Sequence, residues 1–232
     1  MDIEGLVEFA SKYLSEYVAT FTATLAHPVA RFNPILEAAE TREIILPKRV
    51  EEARSSYLNP KLFTFVVISI FVGVTINALI PGRPSGPDLV PSAIVILISW
   101  FTFSSVSHLI SRMIGGRGTF GDTLSVSLQL LAVIYVVSCF MALAAGAIAQ
   151  SGSVKVFATA TGGFLEFIVE NPVSIYFFTQ LALMLIYMPL ALRHVHGFGW
   201  IRQLIVGLTA PVATVFSLLI FFGVGVMRAP PP

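Results

Sequence analysis

TLSVSLQLLAVIYVVSCFMALAAGAIAQSGSV, residues Thr123–Val154, runs for thirty-two residues without an Asp, Glu, Lys, Arg or His. As a helix rising about 1.5 Å per residue, it exceeds the ~30 Å hydrocarbon thickness of a bilayer. Four further stretches lack charge in the same way: Leu62–Ile80, Leu89–Ser107, Asn171–Leu192 and Gln203–Met227. The shortest of them still reaches roughly 28 Å as a helix. The expected fold is therefore all-α and polytopic, with five transmembrane helices. The spans are expected at about 60–80, 90–112, 122–149, 172–193 and 202–227, within a bundle occupying 59–228.

The composition agrees. The 232 residues are 56% hydrophobic and 12% charged, whereas soluble domains carry about 25% charged residues. A formal charge of +1 excludes a polybasic nucleic-acid binder, so no nucleic-acid partner is expected. The single cysteine, Cys139, lies inside the third stretch and has no partner within the chain. The first thirty residues carry Asp2, Glu4, Glu8 and Glu16 and lack the continuous apolar run of a cleavable signal peptide.

Residues 1–58 form a separate, helical block, and residues 1–60 hold nine of the thirteen carboxylates. From Ile3 to Leu25 apolar side chains recur at helical spacing, ending at His27-Pro28, where the proline pushes its predecessor out of the α region. Two readings fit this amphipathic segment. It either lies in the headgroup plane or packs on protein, whether a partner or its own spans. Its acidic polar face favours protein contact, with Leu6, Tyr13, Tyr17 and Phe21 as contact residues. A short charged connector helix is expected at Pro47–Leu58, with Lys48 and Glu52 one turn apart. Pro81–Pro91 reads as a turn, Pro189 and Pro211 as kinks, and 229–232 as a Pro-rich tail.

Orientation follows from the excess of Lys and Arg on cytoplasmic loops. With five crossings, one side carries Lys48, Arg49, Arg54, Lys61, Arg112, Arg117, Arg193 and Arg202, and the other only Arg83, Lys155 and Arg228. The N-terminus is expected in the cytoplasm and the C-terminus outside.

The spans hold no mid-membrane Asp, Glu, Lys or Arg, groups that pumps and ion-coupled carriers usually keep there. Asn77, Gln129 and Gln180 read as interhelical hydrogen-bond partners. The second span is rich in hydroxyls: Ser104, Ser107 and Ser111 share one face, and Ser105, His108 and Arg112 another. Its plain reading is close helix packing with Arg112 snorkelling to the surface; a wet groove or headgroup site is the sharper one. Ser138, Ala142 and Gly146, four residues apart, let helix backbones approach closely.

The loop Gly115-Gly116-Arg117-Gly118 lacks the Lys-Ser/Thr ending of a phosphate-binding loop and reads instead as a turn near lipid phosphate. The candidate headgroup residues are His108, Arg112, Arg117, Arg193 and Arg202. His194 and His196, two apart, diverge on a helix, so no metal site is assigned. No acid, base and nucleophile converge, and neither a catalytic centre nor a cofactor is expected.

Two basic, glycine-containing junctions carry a family resemblance. His108-Leu-Ile-Ser-Arg-Met-Ile-Gly-Gly-Arg-Gly-Thr-Phe-Gly-Asp-Thr-Leu124 resembles the junction between spans two and three of Yip1-family membrane proteins, particularly the bacterial branch. Leu190-Ala-Leu-Arg-His-Val-His-Gly-Phe-Gly-Trp-Ile-Arg202 resembles the junction before that family's last span. The likeness covers roughly 25–225 and implies a cytosolic N-terminal region followed by five spans in a bacterial cytoplasmic membrane. Eukaryotic relatives recruit small GTPases and partner membrane proteins in vesicle traffic, and they carry an Asp-Leu-Tyr-Gly-Pro type motif. This chain lacks it, so GTPase recruitment is not implied.

The expected function is that of a non-enzymatic membrane adaptor or accessory subunit. Membrane lipids and other membrane proteins, in a larger complex or a homo-oligomer, are its partners. The alternative is a carrier or channel for a lipid or weakly charged solute along the second span.

Overall fold

The structure, a computed structural model, describes residues 3–26, 60–80, 89–150, 172–197 and 199–227. Side chains are described from Ser11 in the first helix and as far as Thr214 in the last. Six helices and no strands occur among the described residues: α1 (Ile3–Ala26), α2 (Pro60–Ala78), α3 (Leu89–Met113), α4 (Phe120–Gln150), α5 (Pro172–His196) and α6 (Trp200–Met227). The connector expected at Pro47–Leu58, most of the Pro81–Pro91 turn and the tail at 229–232 lie outside the described residues.

Three helices are long and apolar enough to cross a bilayer: Val90–Met113, Phe120–Ile148 and Ser174–His196. A shorter apolar helix covers Leu62–Ala78. Their outward faces carry Phe71, Ile94, Ile98, Phe101, Phe140, Phe177, Phe178 and Leu181, all exposed. An apolar surface this continuous is stable against acyl chains and not against water. The protein is helical and membrane-embedded.

Helix α4 is the centre of the bundle. Over half of its apolar window, 56%, is buried, against 22% in α3 and in α5. Its inner residues Val126, Leu130, Leu131, Ile134, Tyr135 and Cys139 pack with Val66, Ile70 and Val74 of α2, Trp100 and Phe103 of α3, and Met188 and Leu192 of α5. Ser138, Ala142 and Gly146 all lie buried on α4, so this small-residue stripe faces the interior. Ser138 returns its hydroxyl to the Ile134 carbonyl at 2.8 Å, which satisfies it within the helix.

The ends of the helices define the topology. The last turns of α3 and α5 and the first turns of α4 and α6 gather at one pole, where His108, Thr123 and His196 meet and Arg202 lies over Gly115. Helix α2 runs parallel to α4: α1 touches Ser69 and Gln129, and one turn or so further on Gly73 faces Tyr135. Helix α5 continues through Pro189 without a break, and its ring rests on Gly207 of α6.

Gly73 is the position where the α2 and α4 backbones need the smallest side chain, because a Cβ there would overlap the buried Tyr135 ring. Gly73→Ala is expected to destabilise the bundle by about 1–3 kcal/mol, the usual cost of overpacking. Unfolding of the purified protein in mixed micelles, followed by tryptophan fluorescence, measures it.

Candidate functional site

Local rules build the polar pole first. Helix α3 ends in a Schellman motif: Gly116 N–H donates to the Ser111 carbonyl at 2.8 Å and Gly115 N–H to the Arg112 carbonyl at 3.1 Å. Gly115 has φ +89°, a conformation that other residues adopt only with strain. Gly197, at φ +66°, ends α5 in the same region of backbone space. Helix α4 begins with a capping box. Thr119 Oγ1 accepts from Asp122 N–H at 3.3 Å, and Asp122 Oδ2 accepts Thr119 N–H at 3.1 Å and its hydroxyl at 2.6 Å. The Asp122 carboxylate thus neutralises the positive end of α4 while closing the loop.

The loop is then tied to α5. Arg117 N–H donates to the His196 carbonyl at 3.3 Å, and Gly118 lies so close to α5 that a Cβ would stand 2.6 Å from the Val195 carbonyl. Thr123, fully buried one residue past the box, is the hub. Its Oγ1 donates to the Thr119 carbonyl at 3.0 Å and contacts His108 Nδ1 at 3.1 Å and His196 Nε2 at 3.0 Å. A hydroxyl has one hydrogen and two lone pairs. With that hydrogen on the Thr119 carbonyl, both imidazoles donate to the oxygen, His108 from Nδ1 and His196 from Nε2; with it on one imidazole, that ring accepts. The two rings lie 5.6 Å apart, and His196 is 1% exposed. The trio clamps the ends of α3 and α5 to the start of α4.

The residues expected at lipid headgroups divide. Arg112 donates Nη1 to the Gly116 carbonyl at 3.0 Å while remaining exposed, and exposed Arg117 and Arg202 flank the same loop. Arg193 is exposed on the last turn of α5. His108 instead turns inward to Thr123. Among the described residues no group of three or more His, Cys, Asp or Glu is placed to hold a metal.

The hydroxyl face of α3 also turns inward. Ser104, Ser107 and Ser111 are each 0% exposed. Ser104 bonds to the Trp100 carbonyl at 2.8 Å, whereas the Oγ atoms of Ser107, Ser111 and Ser127 have no hydrogen-bond partner among the described residues.

Of the residues expected to contact a partner, two pack on the chain's own bundle. The Tyr17 ring lies 5.2 Å from Phe65, its hydroxyl accepts from Ser69 at 3.2 Å, and Phe21 packs beside it. Burial, offset in part by the Ser69 bond, raises the Tyr17 phenol pKa above its ordinary value. Tyr13 is exposed at 39%, and the side chain of Leu6 lies outside the described residues. Seven residues after Tyr17, Thr24 accepts from Gln129 Nε2 at 2.7 Å and passes its own hydrogen to the Thr20 carbonyl at 2.8 Å. Gln129, half-buried, thus makes the interhelical hydrogen bond expected of it, and its partner is α1.

In the sequence, Asp122-Thr123 reads as the start of the third span, with a carboxylate at the positive end of the helix dipole; the capping partner Thr119 and the role of Thr123 as hub are not picked out. The box had a signal, Thr-x-x-Asp before an apolar run; the hub had none, because His196 stands 73 positions away from Thr123.

Comparison with known protein families, curated proteins and solved structures returned no match.

Thr123→Val keeps the shape of the hub and removes the oxygen that both imidazoles meet. A loss of about 1–3 kcal/mol per stranded group is expected, with Thr123→Ser close to the parent, in the same mixed-micelle unfolding assay.

Proposed function

We propose that the chain is a non-enzymatic membrane adaptor or accessory subunit: α1 followed by a bundle of five spans, with the N-terminus in the cytoplasm and the C-terminus outside. Helices α2 and α6 supply the two crossings beyond the three long apolar helices. Helix α6 ends with its charge-free stretch at Met227 and α2 two residues before the end of its own at Ile80, and the polar pole carrying Arg112, Arg117, Arg193 and Arg202 suits the cytoplasmic face. Membership of the Yip1 family, in its bacterial branch, is part of the same proposal and rests on the two junctions around the pole.

The observation that carries the reading is the fastening of α1 to the bundle. Two hydrogen bonds, Ser69 to Tyr17 and Gln129 to Thr24, hold an otherwise exposed helix in one place on two spans. A helix so held presents Lys12 and Glu16 to water as a fixed surface, which lowers the ordering cost for a partner protein. The polar pole, by contrast, spends its groups on one another.

Removal of residues 2–26 is expected to release the partner when the protein is recovered from native membranes in mild detergent and its companions are identified by mass spectrometry. Unchanged recovery, with the truncated bundle still monodisperse, overturns the adaptor reading.

A second reading is favoured by one observation. Buried hydroxyls normally have partners, and those of Ser107, Ser111 and Ser127 find none in the described protein. Water along the inner face of α3 would satisfy them and make that face a path for a weakly charged solute. Ser104→Cys and Ser107→Cys, in a Cys139→Ala background, are then expected to react with a membrane-impermeant maleimide in native membranes. Resistance at both positions removes the path.

A further inference from the structure

We infer that α1 is an interfacial helix that binds lipid: it lies at the headgroup–acyl boundary, with Leu14, Val18 and Leu25 inserted among acyl chains and Lys12 and Glu16 facing the cytoplasm. The inference deepens the membrane reading above and rests on it.

Three faces of α1 separate when its side chains are set about 100° apart around the axis. Tyr17, Phe21 and Thr24 fall within about 60° of one another and meet α2 and α4. Leu14, Val18 and Leu25 cluster within about 40°, and their exposures are 62%, 50% and 40%. Lys12 and Glu16 form a third face roughly 160° from the apolar one, and both are exposed. A helix packed on a bundle in water needs only two faces, one inward and one polar. A helix caught between protein, lipid and water needs three, with apolar and charged flanks on opposite sides of the packed one.

Helix α1 lies on α2 and α4, against Ser69 and Gln129, and its exposed flank is apolar like the outer faces of those two helices, Phe71 and Phe140 among them. The same solvent, acyl chains, is assigned to both, with Lys12 and Glu16 turned to water.

Single cysteines at Lys12, Leu14, Glu16, Val18 and Leu25, in a Cys139→Ala background, carry nitroxide labels in the full-length protein reconstituted in phosphatidylcholine–phosphatidylglycerol vesicles. All five side chains are exposed, so the labels do not displace packing. Labels at 14, 18 and 25 are expected to collide more with oxygen than with a polar nickel chelate, and labels at 12 and 16 the reverse. Nickel access at all five positions means that α1 docks in water, oxygen access at all five means that it is sunk in lipid, and access of neither probe to 14, 18 and 25 means that protein covers the flank. Each of these overturns the inference. A label at Ile98, on the outer face of α3, reports oxygen access whenever the bundle itself is membrane-embedded, so failure of that reading is seen separately.

Discussion

Everything at the polar pole depends on the valence of one hydroxyl. Thr123 has one hydrogen to give and two lone pairs to fill, and three groups from three parts of the chain take them up. In water a threonine so placed would be replaceable, since solvent would fill any vacancy. Inside a helical bundle an unfilled polar group is costly, and the hub is specific because three groups meet at one oxygen. The clamp also fixes the ends of α3 and α5 against the start of α4, and with them the alignment of every apolar layer below.

Glycines make the approach possible. Gly118 brings the loop onto the α5 carbonyl at Val195, and Gly73 admits the Tyr135 ring between α2 and α4. Lipid gives helices little hydrophobic reason to associate, so close backbone contact and buried hydrogen bonds supply much of the adhesion. The Gln129–Thr24 bond extends this logic to α1, joining a helix with charged residues to the centre of an apolar bundle.

The helices were legible from the sequence because their cause is local: an uncharged run either satisfies its own backbone or cannot exist in hydrocarbon. The helix stops at Gly115 and Gly197 and the start at Thr119 are local too, set by φ and by side chains three residues apart. Contacts between helices were not legible. Tyr17 and Phe21 show an apolar stripe, but nothing in that stripe says whether it meets Phe65 or a separate protein. His108 reads as a basic interfacial residue until Thr123 and His196 are seen beside it, since its neighbours in sequence, Leu109 and Arg112, face outward.

The central position of α4 has a consequence for how the chain is made. Its neighbours lie on both sides of it in the sequence, α2 and α3 before and α5 after, so it is released from the ribosome before its surroundings are complete. Until α5 arrives, the interior edge of α4, including Thr123 and Ser127, borders lipid or the insertion machinery. Biogenesis therefore has a vulnerable interval, which ends when the hairpin of α5 and α6 closes the bundle.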